Sequence, residues 1–148
     1  MAAFRIRAAR PEDVDELIAL IVDHARFERS SAIIERDRLF DLLADDTSPV
    51  EIFVASDEMR VGGYGALTLD FSLWRARNWA HLDCLFVNRH YRNQGLGKLL
   101  FRHAISLADQ RSTDRLEWQT PEWNDRAIAF YQREGATSQR KMRFFLPI

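Results

Sequence analysis

The residues between positions 92 and 98 have the types and spacing of an anion-binding site. Arg92 precedes two glycines, Gly95 and Gly97, and Lys98 follows them. Glycine has no Cβ atom, so a ligand can approach the main chain closely. Where such a loop opens a helix, its N–H groups point at one spot that attracts negative charge. Because Arg92 adds a charge with bidentate reach, a pyrophosphate is the ligand that this segment is expected to hold.

Two nucleotide-binding motifs are excluded by the residues that follow the glycines. A P-loop requires Ser or Thr after the Gly-Lys pair, and that position is occupied by Leu99. A Rossmann turn requires a third glycine one residue later, where the chain has Leu100. The expected pyrophosphate must therefore belong to another kind of ligand.

A strand and a helix are predicted on the two sides of this segment. Residues 80–87 contain a nearly continuous apolar run and are the strongest candidate for a central strand. Residues 95–110 are predicted to form a helix, because apolar residues and one histidine recur on a single face: Leu96, Leu99, Leu100, His103, Ala104 and Leu107. This arrangement would hold the glycines at a helix N-terminus.

The rest of the chain alternates between further strands and helices. The predicted strands are 4–9, 51–56, 61–70, 116–120 and 142–146, the predicted helices are 11–25, 34–44 and 124–133, and 71–78 is predicted as a loop. Gly135 is expected to end the last helix. The order predicts an α/β fold with helices on both faces of one sheet, and 148 residues fit a single domain over 1–148.

Composition excludes several classes of function. The 21 basic and 22 acidic residues form no basic block, so a nucleic-acid partner is not expected. The apolar stretches are far below the roughly 20 residues of a membrane span, and the N-terminus lacks the apolar region of a secretory signal. The single cysteine, Cys84, and four histidines make neither a disulfide nor a zinc pattern. A cytoplasmic protein without a metal is expected.

Three segments resemble the GNAT acetyltransferase family. The spacing Arg92-x-x-Gly95-x-Gly97 matches the family motif Gln/Arg-x-x-Gly-x-Gly/Ala, whose loop holds the pyrophosphate of coenzyme A. Residues 122–136 resemble the late Asn-x-x-Ala-x-x-Phe-Tyr…Gly-Ala signature, and residues 4–13 resemble the usual opening. The chain is most similar to the spermidine/spermine and thialysine N-acetyltransferases, which usually carry an acidic pair where this chain has Asp83-Cys84.

The resemblance implies a GNAT fold and a reaction. The fold has a mixed, mostly antiparallel sheet with a splayed central strand. The reaction moves an acetyl group from acetyl-CoA to a primary amine of a small molecule, polyamine-like or amino-acid-like, by direct attack. The family's cofactor contacts fall on Leu85, Phe86, Val87, Arg92, Asn93, Gln94, Gly95, Leu96, Gly97, Lys98, Asn124, Ala127 and Tyr131. The amides of the first three would also stabilise the oxyanion.

Proton transfer is expected to involve two residues. An alkylamine has a pKa near ~10 and is almost fully protonated at neutral pH, so a base is useful. The resemblance places Asp83 beside the thioester, either as that base, directly or through a water, or as an anchor for the ammonium. Tyr131 holds the position that protonates the leaving thiolate, with a purely structural tyrosine as the alternative. The implied substrate contacts are Glu28, Asp83, Glu117, Gln119 and Trp74.

Several alternatives stay open on sequence grounds. The acceptor could be a protein lysine or N-terminus, and a CoA-sensing module would keep the fold without turnover. Relatives of this kind are commonly homodimers, so a homodimer is expected, and Trp74 can line the pocket or pack at a subunit interface. Cys84 is expected to be a small buried residue and not an acetyl carrier.

Overall fold

The computed structural model describes residues 3–148, which form two compact units divided after Trp118. The elements of the first unit are β1 (Arg5–Ala8), α1 (Val14–Phe27), α2 (Arg36–Ala44), β2 (Val50–Ser56), β3 (Val61–Ser72), β4 (Arg77–Val87), α3 (Leu96–Gln110) and β5 (Leu116–Glu117). The second unit, Gln119–Ile148, contains α4 (Asp125–Arg133). Within residues 3–148, no helix has the length and apolar character needed to cross a membrane.

The strands form one mixed sheet in the order β1-β2-β3-β4-β5. The first three pairings are antiparallel, and the pairing of β4 with β5 is parallel. β5 pairs with β4 through Leu116 and Glu117 alone. In the described part of the chain, residues 82–87 of β4 therefore pair only with β3, which leaves one edge of the strand open. This geometry confirms the predicted mixed sheet with a splayed central strand.

The helices α1 and α2 cover one face of the sheet. Their residues Leu17, Leu20 and Leu39 pack with Val54 of β2 and with β3 and β4 residues in one buried cluster. α1 contributes to it because its apolar residues recur every three or four positions and so lie on one side of the helix. Burying a leucine side chain contributes about 1.5–3 kcal/mol, so this cluster fixes α1 firmly against the strands.

The helix α3 covers the opposite face. Phe53 precedes Val54 in β2 and so points to the other side of the sheet. There its ring lies 4.9 Å from the ring of His103 in α3, measured between centroids. The same ring covers Gly65, where an added Cβ would lie 2.3 Å from Phe53 Cζ, so only glycine allows this approach. Helices on both faces are thereby confirmed.

The structure corrects three sequence-based boundaries in the β-structure. Half of the predicted loop 71–78 is strand, because β3 ends at Ser72 and β4 begins at Arg77, which leaves only 73–76 as a turn. The predicted strand 116–120 is shorter and ends at Glu117. The predicted closing strand 142–146 is wrong: residues 137–148 contain no strand. A strand needs a hydrogen-bonded neighbour, and the described second unit offers no other strand to this segment.

The second unit is organised around the two ends of α4. Asn124 is the N-cap, and its side-chain oxygen accepts a hydrogen bond from the N–H of Ala127 at 3.3 Å. At the other end Gly135 has φ 95°, and the N–H of Ala136 donates to the carbonyl of Tyr131 at 3.0 Å. Gly135 is thus the predicted helix terminator, in the left-handed conformation that glycine adopts without strain.

Candidate active site

The segment that follows β4 is anchored before it reaches the glycines. The N–H of Asn88 donates to the carbonyl of Gly62 in β3 at 2.9 Å, and the Asn88 side chain accepts from the N–H of His90 at 2.9 Å. The ring of Tyr91 packs edge-on against Phe4 with centroids 5.0 Å apart. The loop therefore leaves the sheet from a fixed point.

The main chain then bends into α3 through two left-handed residues. Asn93 has φ 62° and Gly95 has φ 82°, a conformation that asparagine and glycine tolerate better than other residues. The first helical hydrogen bond runs from the N–H of Leu99 to the carbonyl of Gly95 at 3.1 Å. We call residues 93–98 the bend. It brings the first-turn N–H groups of α3 to the end of β4, as the sequence predicts.

The bend has the shape of a diphosphate site. The N-cap is Gly95, which has no side chain to accept a hydrogen bond from the helix start. The first-turn N–H groups have no acceptor inside a helix, and they carry the positive end of the helix dipole. A Cβ built on Gly95 would meet nothing within 4 Å, so the space in front of the main chain is open. Leu96 points into the core, which leaves the main chain of the bend to contact a ligand.

Arg92 is held between the bend and the sheet. Its Nε donates to the carbonyl of Val87, the last residue of β4, at 2.9 Å. Its guanidinium lies 5.0 Å from the ring centre of Phe27 and 5.3 Å from that of Phe86. These contacts brace the end of β4. A direct contact of Arg92 with phosphate stays a prediction.

The open edge of β4 lies just before the bend. Leu85, Phe86 and Val87 pair with β3 on one side only, among the residues that the structure describes. A strand edge presents N–H and C=O groups that can pair with an extended ligand. The predicted role of these three residues in pantetheine and oxyanion binding fits such an edge and stays a prediction.

A polar cluster that the sequence analysis missed lies under β4 on the α1 face. His24 Nδ1 is 2.7 Å from the hydroxyl of Tyr64, and His24 Nε2 is 3.5 Å from Glu28 Oε1. The imidazole stacks on Phe86 with centroids 4.9 Å apart and an interplanar angle of 16°. We call Tyr64, His24 and Glu28 the histidine cluster. It connects β3 to the C-terminal end of α1.

Burial changes the protonation of this cluster. It lowers the pKa of His24, against the opposing effect of the nearby Glu28 and Asp83 carboxylates. It raises the pKa of the Tyr64 phenol above its ordinary value. It also raises the pKa of Cys84 to about 12, with Asp83 adding to the effect. Cys84 is therefore a protonated thiol at neutral pH, which makes it a poor nucleophile.

Two signals in the sequence could have revealed the cluster. His24 lies four residues after Leu20 and seven after Leu17, so it continues the buried face of α1. Tyr64 falls within the predicted strand 61–70, and a tyrosine that a strand buries needs a partner for its hydroxyl. In β3 this tyrosine is 2% exposed. The pairing of the two residues follows from the crossing of α1 over β3, which neither local pattern contains.

The structure brings two of the predicted substrate residues near each other and separates others. Glu28 and Asp83 both act electrostatically on His24. Glu117 ends β5, where it pairs with Arg115 at 3.5 Å. Trp74 lies in the β3–β4 turn and is fully exposed. Since β4 rises about 20 Å between Arg77 and Asp83, this turn is remote from Asp83, which favours the interface alternative for Trp74.

The remaining predicted residues belong to the second unit. Asn124 caps α4 and also donates from Nδ2 to Thr120 Oγ1 at 3.4 Å, and Ala127 lies in the first turn. Tyr131 is half-buried in α4, edge-on to the ring of Phe130 with centroids 5.2 Å apart. Gln119 begins the unit. The assigned roles of these residues stay predictions.

Comparison with known proteins decides the family. Residues 14–136 match the model of the Acetyltransferase (GNAT) family. The chain belongs to the GNAT acetyltransferase family. The match begins at α1 and ends after α4, so it includes the bend, the open edge of β4, the histidine cluster and the cap of α4.

Individual relatives agree with this assignment. The thialysine N-epsilon-acetyltransferase of Caenorhabditis elegans is 28% identical over 133 residues, which are 88% of this chain and 81% of that protein. The peptidyl-lysine N-acetyltransferase YjaB of Salmonella typhimurium is 31% identical over 134 residues, with the same coverage of 88% and 81%. The crystal structure of a mutant of the BH1408 protein from Bacillus halodurans matches with a TM-score of 0.82 at 25% identity, covering 97% of this chain and 99% of that one.

Family membership makes this protein an acetyltransferase of the GNAT type, and its similarity to the thialysine enzymes supports the predicted subgroup. The family generally uses acetyl-CoA as co-substrate. This GNAT acetyltransferase has a bend with two left-handed residues where its motif predicts an anion-binding loop, and in addition a contact between His24 and Tyr64 that its motifs do not encode.

Proposed function

We propose that this acetyltransferase moves the acetyl group of acetyl-CoA to a primary amine on a small molecule with an alkylamine side chain. The observation that carries the proposal is the bend: two left-handed residues place the first-turn N–H groups of α3 next to the open edge of β4. A diphosphate at the bend and an extended pantetheine arm along β4 match the two chemically different ends of coenzyme A.

The chain's own groups suit the donor in specific ways. The main-chain N–H groups of Gln94, Leu96, Gly97 and Lys98 would contact the diphosphate at the helix start. The open edge of Leu85–Val87 would pair with the amide groups of the pantetheine arm and orient the thioester. Asn93 and Gly95 keep the main chain in the conformation that both contacts need.

The reaction needs one base and one acid. The neutral amine nitrogen attacks the thioester carbonyl carbon, a C–N bond forms, and the C–S bond breaks with the electron pair leaving on sulfur. The proton lost by nitrogen goes to Asp83, directly or through a water, and the thiolate takes a proton from Tyr131. The role of Tyr131 rests on the family resemblance alone, while Asp83 is an exposed carboxylate on β4.

The acceptor is best described by what the relatives' substrates share. Thialysine and peptidyl-lysine both present a primary amine at the end of a lysine-like side chain. Glu28 and Asp83 supply negative charge for such an ammonium. A small-molecule acceptor is the leading candidate because the thialysine enzymes belong to the predicted subgroup. A peptidyl-lysine acceptor is the second, supported by the 31% identity to the Salmonella enzyme.

We also propose that the protein is a homodimer. The turn of the β3–β4 hairpin exposes Trp74 completely and Leu73 by 85%, and Phe71 near the end of β3 is half exposed. Contiguous exposed apolar residues of this size are typical of interaction surfaces. Sedimentation of the wild-type protein at increasing concentration should give the mass of two chains, and a monomer at all concentrations would contradict the proposal.

A panel of amines with acetyl-CoA tests the proposed function. Free thiol should appear with lysine-like free amines, and less with a lysine-containing peptide. Tyr131→Phe should lower kcat by about 10²-fold or more while the affinity for coenzyme A stays within about twofold. If no amine, free or in a peptide, releases thiol, the proposed reaction is wrong and a CoA-sensing module takes its place.

A further inference from the structure

The histidine cluster lies in the first unit, and of its three members only Glu28 has a part in the proposed function as described so far. Tyr64 and His24 are 40 residues apart in sequence, and their side chains meet at 2.7 Å. The Tyr64 side chain is buried, and 14% of the His24 side chain and 37% of the Glu28 side chain are exposed. The cluster therefore runs from the core, through an imidazole, to a carboxylate at the surface of α1.

Chemistry fixes the direction of the hydrogen bonds. A neutral imidazole has one N–H donor and one acceptor nitrogen. Nε2 faces the Glu28 carboxylate at 3.5 Å, and because a carboxylate only accepts, the neutral imidazole is favoured with its hydrogen on Nε2. Nδ1 then accepts from the Tyr64 hydroxyl, and this phenol keeps its proton because burial raises its pKa. Glu28 thus favours the Nε2–H tautomer of His24, and the Tyr64 hydroxyl satisfies the free Nδ1 of that tautomer.

The position of Glu28 explains why such a contact is useful. The main chain of Glu28 is fixed at the C-terminal end of α1, where its N–H donates to the carbonyl of His24 at 3.0 Å. Arg29 follows in a left-handed conformation with φ 59°, so the chain turns away from the axis of α1. The glutamate side chain has three further rotatable bonds. Without a partner it would lose conformational entropy each time it bound a ligand.

We propose that His24 is a positioning residue that holds the Glu28 carboxylate ready for the ammonium group of the acceptor amine, with Tyr64 holding the imidazole through its Nδ1. The inference rests on the proposed function, since Glu28 is there a substrate contact. It adds two residues, one on α1 and one on β3, that set the affinity for the amine and not the affinity for acetyl-CoA.

The charges around His24 give the cluster a dependence on pH. Glu28 and Asp83 face the imidazole with negative charge, Arg92 faces it with positive charge, and Tyr64, Cys84 and the stacked Phe86 are neutral. Burial keeps the His24 pKa below its ordinary value, so the ring is neutral at pH 7. On acidification the ring gains a positive charge next to Glu28. The amine KM should then rise, because that charge opposes the ammonium.

Two substitutions of His24 separate positioning from simple packing. The amide of glutamine reaches the place of Nε2 and can still donate to Glu28, whereas the shorter asparagine reaches only the place of Nδ1. His24→Asn and Glu28→Gln should each raise the amine KM about tenfold or more, and His24→Gln should keep it within about threefold. The acetyl-CoA KM should stay within about twofold in all three.

A matched control is available on the other face of the sheet. His103 is also a partly buried histidine with a pKa lowered by burial, and it contacts Phe53. His103→Asn should leave both the amine KM and its rise at low pH as in the wild type. In His24→Gln the rise in amine KM below pH 6.5 should be lost. Equal effects of Asn and Gln at position 24, or an unchanged pH profile in His24→Gln, would overturn the inference.

A measurement without any substrate separates this inference from the proposed function. Nitrogen-15 NMR of the imidazoles at pH 7.5 should show His24 with its hydrogen on Nε2. A hydrogen on Nδ1 would overturn the positioning role even if the enzyme acetylates amines. Absence of thiol release with every amine would refute the proposed function, while the tautomer is decided by the spectrum alone.

Discussion

The bend before α3 and the histidine cluster under β4 are two polar sites built in different ways. The bend works through its main chain: left-handed Asn93 and Gly95 and the start of a helix create the site. The cluster works through side chains that α1 and β3 bring together. A main-chain site follows from a short stretch of sequence, whereas a side-chain site requires the tertiary fold. A short sequence motif can therefore describe the first, whereas the second has to be found in the folded structure.

The largest expected effect concerns the backbone of the bend. Gly95 has φ 82° with open space around its missing Cβ, so only conformational strain opposes a side chain there. Gly95→Val should weaken binding of coenzyme A by about 10²-fold, because a β-branched residue strongly disfavours the left-handed region. Gly95→Asn should stay within about fivefold of the wild type, since asparagine adopts that region. Calorimetric titration with coenzyme A measures both.

The comparison would break down if the two variants behaved alike. Equal losses in Gly95→Val and Gly95→Asn would mean that any side chain blocks the site, so that shape and not main-chain conformation controls binding. Unchanged affinity in both would remove the bend from the coenzyme site.

Arg92 connects the two regions and offers the next test. Arg92→Lys keeps the positive charge but loses the Nε contact with Val87 and the flat stacking over Phe27 and Phe86. The free energy of unfolding should fall by about 1–2 kcal/mol, measured by urea denaturation. The exposed Arg38 of α2 is the control, and Arg38→Lys should change the stability by less than about 0.5 kcal/mol. Full stability in Arg92→Lys with a large loss of coenzyme A affinity would assign Arg92 to the bend alone.

The smallest expected effect is the dependence of stability on pH. Burial lowers the pKa values of His24 and His103 in the folded state below the ordinary value. Below about pH 6.5 the unfolded chain therefore binds more protons than the folded chain. The free energy of unfolding then decreases as the pH is lowered. Each of His24→Gln and His103→Gln should make that fall less steep between pH 7.5 and 5.5. A slope unaffected by either substitution would show that neither imidazole is held neutral by burial.

The sequence predicted the fold where its signals are local. The run of β4, the glycines of the bend and the apolar face of α3 are contiguous, so residues 80–110 needed no tertiary information. The cap of α4 by Asn124 and its end at Gly135 are equally local. The extension of β3 through Phe71 and Ser72 was missed, because Phe71 is exposed and its polar neighbours Asp70 and Ser72 also suit a loop.

The parts that failed depend on partners that a linear pattern does not contain. Residues 142–146 have strand-forming side chains, yet they form no strand, because a strand also requires a hydrogen-bonded neighbour. Phe144 and Phe145 are accordingly more than four-fifths exposed. His24 was assigned no role because its partner, Tyr64, comes 40 residues later. Glu28 and Asp83 were predicted from the family resemblance, and the structure adds the imidazole on which both of them act.

The most direct test of the account is a backbone amide NMR titration of the wild-type protein with coenzyme A and, separately, with pantetheine. Coenzyme A should shift the amide signals of residues 94–98 strongly, because its diphosphate accepts hydrogen bonds from the first turn of α3. Pantetheine has no diphosphate and should shift residues 85–87 while leaving 94–98 almost unchanged. Signals at 94–98 that do not respond to coenzyme A would contradict the central claim that the bend is its binding site.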